Sequence, residues 1–179
     1  MRIYTRKGDD GTTGLYFSGR VRKDSARIEL NGEVDEAQAA IGMARAEFEA
    51  GSKPSELLAQ VERDLYVLMA EVATAPKNRH KLVAGTSLVT EEMVEWLELQ
   101  IDALSQRFEM PSDFVIPGEN RASATLDLAR TIARRAERRA VSMKMDGSAV
   151  ARYLNRLSDL LWVYARWQED LYRLARDKE

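Results

Sequence analysis

The chain has 179 residues, which falls within the ~100 to 200 residues of one domain and is long enough to bury a hydrophobic core. It contains no cysteine and one histidine, which excludes disulfides, thiolate zinc sites, cysteine nucleophiles and histidine-rich metal centres. The 27 basic and 29 acidic side chains give a net charge of −2. We therefore expect no overall attraction to nucleic acid or to an anionic membrane, so anion binding needs a local cationic patch.

Segments that direct a protein into or across a membrane are absent from the sequence. The longest apolar run, residues 160–165, is far shorter than the ~20 residues of a transmembrane helix. The first five residues, MRIYT, lack the apolar stretch of a signal peptide. These features predict an unprocessed protein of the cytoplasm.

The first 24 residues form a polar arm that lacks helical periodicity, with one possible β-strand at residues 2–5. Four glycines lie in it: Gly8, Gly11, Gly14 and Gly19. Flexible glycine backbone, threonine hydroxyls and the charges of Arg6, Lys7 and Lys23 are typical of a phosphate-binding loop. The spacing differs from that of a Walker loop. The same composition also fits a flexible polar N-terminus.

Apolar residues then recur at intervals of three and four along five segments, each of which predicts an amphipathic helix. The first helix starts at about Leu30. The second starts near Pro54 and ends before Pro76. Residues 77–89 are expected to form a surface loop, and Thr90 to cap the third helix.

A second loop contains the apolar run Phe114-Val115-Ile116, which a fully solvated connection would not need. The fourth helix is predicted at about residues 119–145, on a seam of small residues. Gly147 suits the position just after its end, and Ser148 can cap the fifth helix.

Together these elements predict an all-α fold, an up-and-down five-helix bundle with an irregular N-terminal arm. The chain is expected to be one domain, in which residues 1–24 are a phosphate-binding arm and residues 28–176 are approximately the bundle.

The predicted fourth helix carries a dense group of charges: Arg130, Arg134, Arg135, Glu137, Arg138 and Arg139. A spacing of four places Arg130, Arg134 and Arg138 in one row, where like charges repel. A triphosphate suits such a row better than scattered carboxylates do. The alternative is a solvated basic face that Asp127 and Glu137 neutralise.

Two further polar groups lie on predicted helices. Asn155 borders the apolar stripe of the fifth helix, where its amide could make a buried contact or face a ligand. Near the start of the first helix, Glu33, Asp35 and Glu36 could simply stabilise the positive helix N-terminus.

Five motifs occur in the order and spacing of the PduO-type ATP:cob(I)alamin adenosyltransferases: TRKGDDGTTGL from Thr5, RVRKD from Arg20, GEVDE from Gly32, RRAER from Arg134 and NRLSD from Asn155. The sequence resembles this corrinoid adenosyltransferase family over essentially its whole length. The resemblance implies a five-helix bundle that forms a homotrimer with active sites between neighbouring subunits. It also implies a reaction in which cob(I)alamin attacks the 5′ carbon of ATP and yields adenosylcobalamin and triphosphate.

The resemblance further implies the site residues. One subunit would bind ATP through Thr5, Arg6, Lys7, Gly8, Gly11, Thr13, Gly14 and Lys23. Five further residues would complete the site, together with magnesium: Arg134, Arg135, Glu137, Arg138 and Asn155. Asp35 would pair with Arg130 across the interface, and Phe114 would press on the lower face of the corrin and exclude the lower cobalt ligand. No corrin contact is expected from residues 167–179.

The expected protein partners are a reductase and an adenosylcobalamin-dependent enzyme. Two other classes compete with this interpretation. A helical interaction module would use the arginine row to dock an acidic protein, and a nucleotide-binding regulator would keep the arm without a corrin site. Binding of ATP and of cobalamin distinguishes the three.

Overall fold

The computed structural model describes residues 3–169 and 171–176. Its elements are β1 (Thr12–Gly14), β2 (Arg20–Arg22), α1 (Ala26–Arg45), α2 (Lys53–Val72), a 3₁₀ helix (Pro76–Lys81), α3 (Glu91–Ser105), α4 (Arg121–Ser142) and α5 (Val150–Trp167). The predicted five-helix bundle is confirmed. Within the described residues, no helix is long and apolar enough to span a bilayer.

The helices pack in the spatial order α2, α1, α4, α5, α3, so α4 lies between α1 and α5. Four small residues of α4 are buried along this contact: Ala129, Ala133, Ala136 and Ala140. Their short side chains let both neighbours approach closely, whereas α5 fills the core with large residues such as Tyr153 and Leu157. Of the seam predicted at Ala122, Thr125, Ala129, Ile132, Ala136 and Met143, the three central residues Ala129, Ile132 and Ala136 lie in the core, whereas the other three are only partly buried.

The arm is more regular than predicted, because β1 and β2 form an antiparallel hairpin. Thr12 lies opposite Arg22 and Gly14 opposite Arg20. The predicted strand at residues 2–5 is wrong for residues 3–5, which are not in a strand, and residue 2 lies outside the described residues. Strands of three residues are too short to show an alternating pattern in the sequence.

Two connections also differ from the prediction. The loop expected at residues 77–89 begins with the 3₁₀ helix Pro76–Lys81. Gly147 does not directly follow α4, which ends at Ser142. It has a φ of 66° within the turn to α5. The helix ends earlier than its apolar pattern suggests, and the longer turn includes the positive φ of Lys144.

Ser148 is not the N-cap of α5, which is Ala149. The Ser148 hydroxyl accepts a hydrogen bond from Val150 N (3.2 Å) and donates one to Glu71 Oε1 (2.6 Å). Glu71 is buried and also accepts a hydrogen bond from Val89 N (2.7 Å). A buried carboxylate needs such donors, so the hydroxyl serves a tertiary contact that local sequence does not reveal.

The N-terminus of α4 is fixed by Asn120. Its Oδ1 accepts a hydrogen bond from Ser123 N (2.8 Å), and its own N–H donates to Ser123 Oγ (3.3 Å), which completes a capping box. Its Nδ2 donates to the carbonyl of Gln168 (2.7 Å). One side chain therefore starts α4 and ties it to the end of α5.

We expect Asn120→Ala to lower the free energy of unfolding by about 2 kcal/mol, because the cap and the tertiary hydrogen bond contribute about 1 kcal/mol each. Thr90→Ala is the matched control, since Thr90 caps α3 by accepting a hydrogen bond from Met93 N. Its expected loss is about 1 kcal/mol. Chemical denaturation of both variants measures the difference. Equal losses would show that the bond to Gln168 adds nothing.

Candidate active site

A cleft of about 260 Å³ opens where α4 and α5 meet the loop before α4. Its lining residues include Phe114, Asp127, Arg130, Arg134, Asp159, Trp162 and Arg166. Residues spaced by three or four positions share one face of a helix, so each helix presents a single set to the cleft. Three side chains that the sequence singled out, Phe114, Arg130 and Arg134, are thus brought together.

Phe114 lies at an exposed apolar edge of this cleft, with 78% of its surface accessible. It also lines a second hollow of about 380 Å³. Trp162 lines both hollows, so the two aromatic side chains border the same space. Exposed aromatic edges of this kind suit a flat apolar ligand.

The loop that carries Phe114 is held by the C-terminal segment of the chain. Val115 pairs antiparallel with Leu174. Ile116 N donates to the Arg173 carbonyl (2.8 Å), and Ala175 N donates to the Phe114 carbonyl (2.7 Å). The sequence predicts no corrin contact from residues 167–179, and the structure shows that residues 173–175 of this segment support the loop. A single pair of bridging residues leaves no pattern in the sequence.

Arg130 is bound within its own chain by Asp127. Its Nε donates to Asp127 Oδ1 (2.9 Å), and the other oxygen of Asp127 accepts from Arg166 (2.5 Å). Asp35 is exposed on α1 and has no ion pair within the described residues. Its expected pair with Arg130 of a neighbouring subunit stays a prediction.

Two arginines of the group hold α4 against α1. Arg135 pairs with Glu36, and Arg139 lies 3.3 Å from Glu33. Because α1 begins at Ala26, these carboxylates lie in its second and third turns, beyond the reach of the helix N-terminus. The interpretation that they stabilise the helix dipole is therefore wrong. A phosphate contact by Arg135 would compete with Glu36.

Arg134 and Arg138 have no carboxylate within ion-pair distance in the described part of the chain. Arg138 donates to the Arg134 carbonyl (3.1 Å). Glu137, which lies between them in sequence, accepts a hydrogen bond from Asn155 Nδ2 (2.9 Å). Asn155 therefore links α5 to α4. Asp127 therefore neutralises Arg130, whereas no acid of the described residues forms an ion pair with Arg134 or Arg138.

Asp159 is an acid of the cleft that the sequence motif included without assigning it a role. Burial raises the pKa of Asp159 above its usual value and the charge of Glu137 adds to this, whereas the charges of Arg156 and Arg134 lower it. Asp159 lies four residues after Asn155, and Trp162 lies seven after it. A helical projection of α5 from Asn155 could therefore have placed both side chains on the face of the site.

The loop of the arm is closed by Arg20. Its guanidinium donates to the Lys7 carbonyl and to Thr12 Oγ1 (2.6 Å). Asp10 accepts from Thr12 N (2.9 Å) and Thr12 Oγ1 (2.7 Å), and these bonds hold the pKa of Asp10 below its usual value. Sequence reasoning placed Arg20 in a motif without recognising this role, because the contact spans the hairpin.

Gly8 lies against Lys23. A Cβ at Gly8 would come within 3.0 Å of the Thr12 carbonyl and 3.2 Å of Lys23 Nζ, so a side chain would displace its neighbours. Gly11 has a φ of 78° and accepts a hydrogen bond from Lys23 N (2.9 Å). No carboxylate of the described residues lies within ion-pair distance of three cations of the arm: Arg6, Lys7 and Lys23.

The remaining arm residues of the predicted site flank this loop. Thr13 and Gly14 lie in β1, and the Thr5 hydroxyl accepts from Lys7 N (3.5 Å). The loop therefore combines unpaired positive charge with exposed backbone and hydroxyl groups, which is the chemistry of an anion site.

The arm and the cleft lie apart in one chain. Tyr16 N donates to the Ala73 carbonyl (3.0 Å), which fixes the hairpin beside the end of α2. A pocket at that end is also lined by Met143, just after α4. Arg130 precedes Met143 by 13 residues, or ~20 Å along a helix axis. The arm consequently does not line the cleft of its own chain.

Known proteins resemble the chain along nearly its whole length. The family described as Cobalamin adenosyltransferase matches residues 3–168. The corrinoid adenosyltransferase of Citrobacter freundii is 40% identical over 171 residues, which cover 94% of this chain and 95% of that protein. The corrinoid adenosyltransferase of Mycobacterium tuberculosis is 40% identical over 174 residues, covering 92% and 87%.

The fold of the chain also matches the fold of a solved structure. A variant of the PduO-type ATP:corrinoid adenosyltransferase of Lactobacillus reuteri, complexed with cobalamin and ATP, superimposes with a TM-score of 0.86 at 28% identity. The match covers 98% of this chain and 100% of the other. By sequence and by fold, the chain belongs to the PduO-type corrinoid adenosyltransferase family.

Proposed function

We propose that the chain transfers the 5′-deoxyadenosyl group of ATP to the cobalt of cob(I)alamin, with triphosphate as the second product. The observation that carries this proposal is the shared cleft, where exposed Phe114 lies beside the unpaired charge of Arg134. The apolar edge suits the face of a corrin, and the free guanidinium suits a phosphate. A helical interaction module would not need an exposed aromatic ring and a guanidinium in the same cleft.

The active site is assembled from two chains in this proposal. The arm of one subunit supplies Lys23 and the loop around Gly8, and the neighbour supplies Arg134, Arg138 and the Glu137–Asn155 pair. Support comes from the separation of arm and cleft within one chain, because neither half is a complete site. We infer a homotrimer, as the family resemblance implies, in which one domain of each subunit carries both halves.

Charge stabilisation accounts for the cationic residues. As the bond from cobalt to C5′ forms, the bond from C5′ to the triphosphate oxygen breaks, and negative charge grows on the leaving group. Arg134 and Lys23 form no ion pair within the described chain, so both charges can meet the phosphates. No protein side chain has to act as the nucleophile.

Magnesium enters with the nucleotide. The described residues contain no group of three or more histidine or acidic side chains that could hold a metal ion. This fits an ion that is bound mainly by phosphate oxygens and water. When bound, the ion neutralises part of the triphosphate charge.

Phe114 has an electronic role in this proposal. A phenyl ring against the lower face of the corrin excludes the axial ligand, which lowers the cobalt orbital that accepts an electron and eases the reduction of Co(II). The backbone bonds from residues 173–175 keep the Phe114 loop in place for this contact. A reductase supplies the electron, and an adenosylcobalamin-dependent enzyme takes the product. The reaction requires ATP and a reductant, and both are present in the cytoplasm.

Phe114→Ala should leave the affinity for ATP nearly unchanged, because the ring makes no polar contact with phosphate. The rate should fall by orders of magnitude when the assay starts from Co(II), since the lower ligand returns. It should fall much less when Co(I) is supplied by a strong chemical reductant. Equal losses in the two assays would reduce Phe114 to a packing residue.

Arg134→Ala should lower the rate by roughly 10- to 150-fold, which corresponds to the loss of a charge-assisted contact of about 1.5 to 3 kcal/mol. Thermal stability should change little, because the side chain is exposed and unpaired. Arg152→Ala, on the outer face of α5 where it pairs with Glu91, is the control and should keep full activity. An unchanged rate in folded Arg134→Ala would restore the interpretation of a solvated basic face.

Asp35→Asn should weaken cobalamin binding by about tenfold or more and leave ATP binding within about twofold, because the lost charge-assisted bond lies at the subunit interface beside Arg130. Glu47→Gln removes another exposed acid just after α1 and should have no effect. Equilibrium binding and light scattering measure affinity and trimer formation. Identical behaviour of the two variants would argue against the Asp35–Arg130 pair.

A further inference from the structure

Arg166, near the end of α5, is buried to 2% exposure, which is rare for an arginine. Burial of a guanidinium is strongly unfavourable unless its charge and its N–H groups find partners. Its Nη2 donates to Asp127 (2.5 Å) and to Glu169 (3.1 Å). Its guanidinium carbon also lies 5.9 Å from the centre of the Trp162 ring. The side chain therefore has three partners: Asp127, Glu169 and Trp162.

Asp127 connects this buried group to the cleft. Oδ2 accepts from Arg166 and Oδ1 accepts from Arg130 Nε, so a rotation of the carboxylate would break one of the two bonds. Asp127 is itself buried, whereas the Arg130 side chain is 26% exposed. The chain of contacts thus runs from Arg166, which lines the cleft but is almost fully buried, through one carboxylate to the more exposed Arg130.

The charges of the cluster make this arrangement cooperative. Arg166 contacts two carboxylates, Asp127 and Glu169, and these three groups carry one negative charge in excess. Arg130 neutralises that excess when it occupies its observed place. An isolated pair at a spacing of three residues on a helix is weak. Here Arg166 binds the other carboxylate oxygen of Asp127 and so fixes the orientation of the Asp127–Arg130 pair.

We propose that Arg166 and Asp127 are positioning residues, which hold the Arg130 guanidinium at a fixed place in the cleft. This inference rests on the proposed function, because Arg130 acts there at the corrin side of the subunit interface. Arg166 does not contact substrate in this scheme. It acts on cobalamin binding through Asp127 and Arg130.

A double-mutant cycle tests the proposal, with cob(II)alamin and ATP as the probes. Arg166→Met and Arg130→Gln are each expected to raise the equilibrium Kd for cob(II)alamin by about tenfold, with the Kd for ATP within about twofold. In the Arg130→Gln background, the further change Arg166→Met should raise the Kd for cob(II)alamin by less than about twofold. Arg152→Met is the matched control, because Arg152 lies on the same helix and forms a surface ion pair with Glu91. It should change neither the Kd for cob(II)alamin nor the Kd for ATP.

Independent effects would overturn the proposal. If Arg166→Met weakens cob(II)alamin binding as much in the Arg130→Gln background as in the wild type, the residue only stabilises the fold. Where Arg166→Met fails to fold, the same cycle with Asp127→Asn decides by the same criterion, since this change keeps the shape of the side chain. Wild-type protein that binds both probes but forms no adenosylcobalamin would overturn the proposed function. That result would not affect the conclusion of the double-mutant cycle, because the cycle measures only binding.

Discussion

The close packing of α4 between α1 and α5 is the constraint on which the rest of the structure depends. The buried alanines of α4 allow α1 and α5 to approach closely. Because this seam is buried, the rotation of α4 about its own axis is fixed, and each of its other faces meets a fixed set of neighbours. The arginines of α4 are therefore placed by the burial of Ala129, Ala133 and Ala136. Their roles differ because each points from the helix at a different angle.

This packing separates the arginines into two kinds. Arg135 and Arg139 face α1 and pair with its glutamates, so they contribute to the assembly of the bundle. Arg134 and Arg138 form no ion pair within the described chain, and their charge is available to a ligand. Arg130 is intermediate, because Asp127 binds it from one side while the cleft lies on the other. A run of like charges in sequence thus becomes several distinct functions.

The Phe114 loop shows a second way of placing a functional side chain. An apolar run in a loop is costly to expose, and two of its residues gain backbone partners from residues 173–175. Phe114 keeps its exposure in the process. The C-terminal segment contributes to the site by supporting the loop, a contribution that its side chains alone would not suggest.

The five helices, the centre of the α4 seam, the cap of α3 and the family can all be predicted from the sequence, because periodicity, caps and ordered motifs are local or linear signals. The sequence also placed Arg130 and Arg134 in one row of a helix and singled out Phe114, without placing that ring at the same cleft. Tertiary structure alone decided the short hairpin of the arm, the use of Ser148 by Glu71 and the support of Phe114 by the chain end. It also decided which arginines have partners. These contacts join residues far apart in the chain, and ion pairing depends on distances that composition and spacing do not contain.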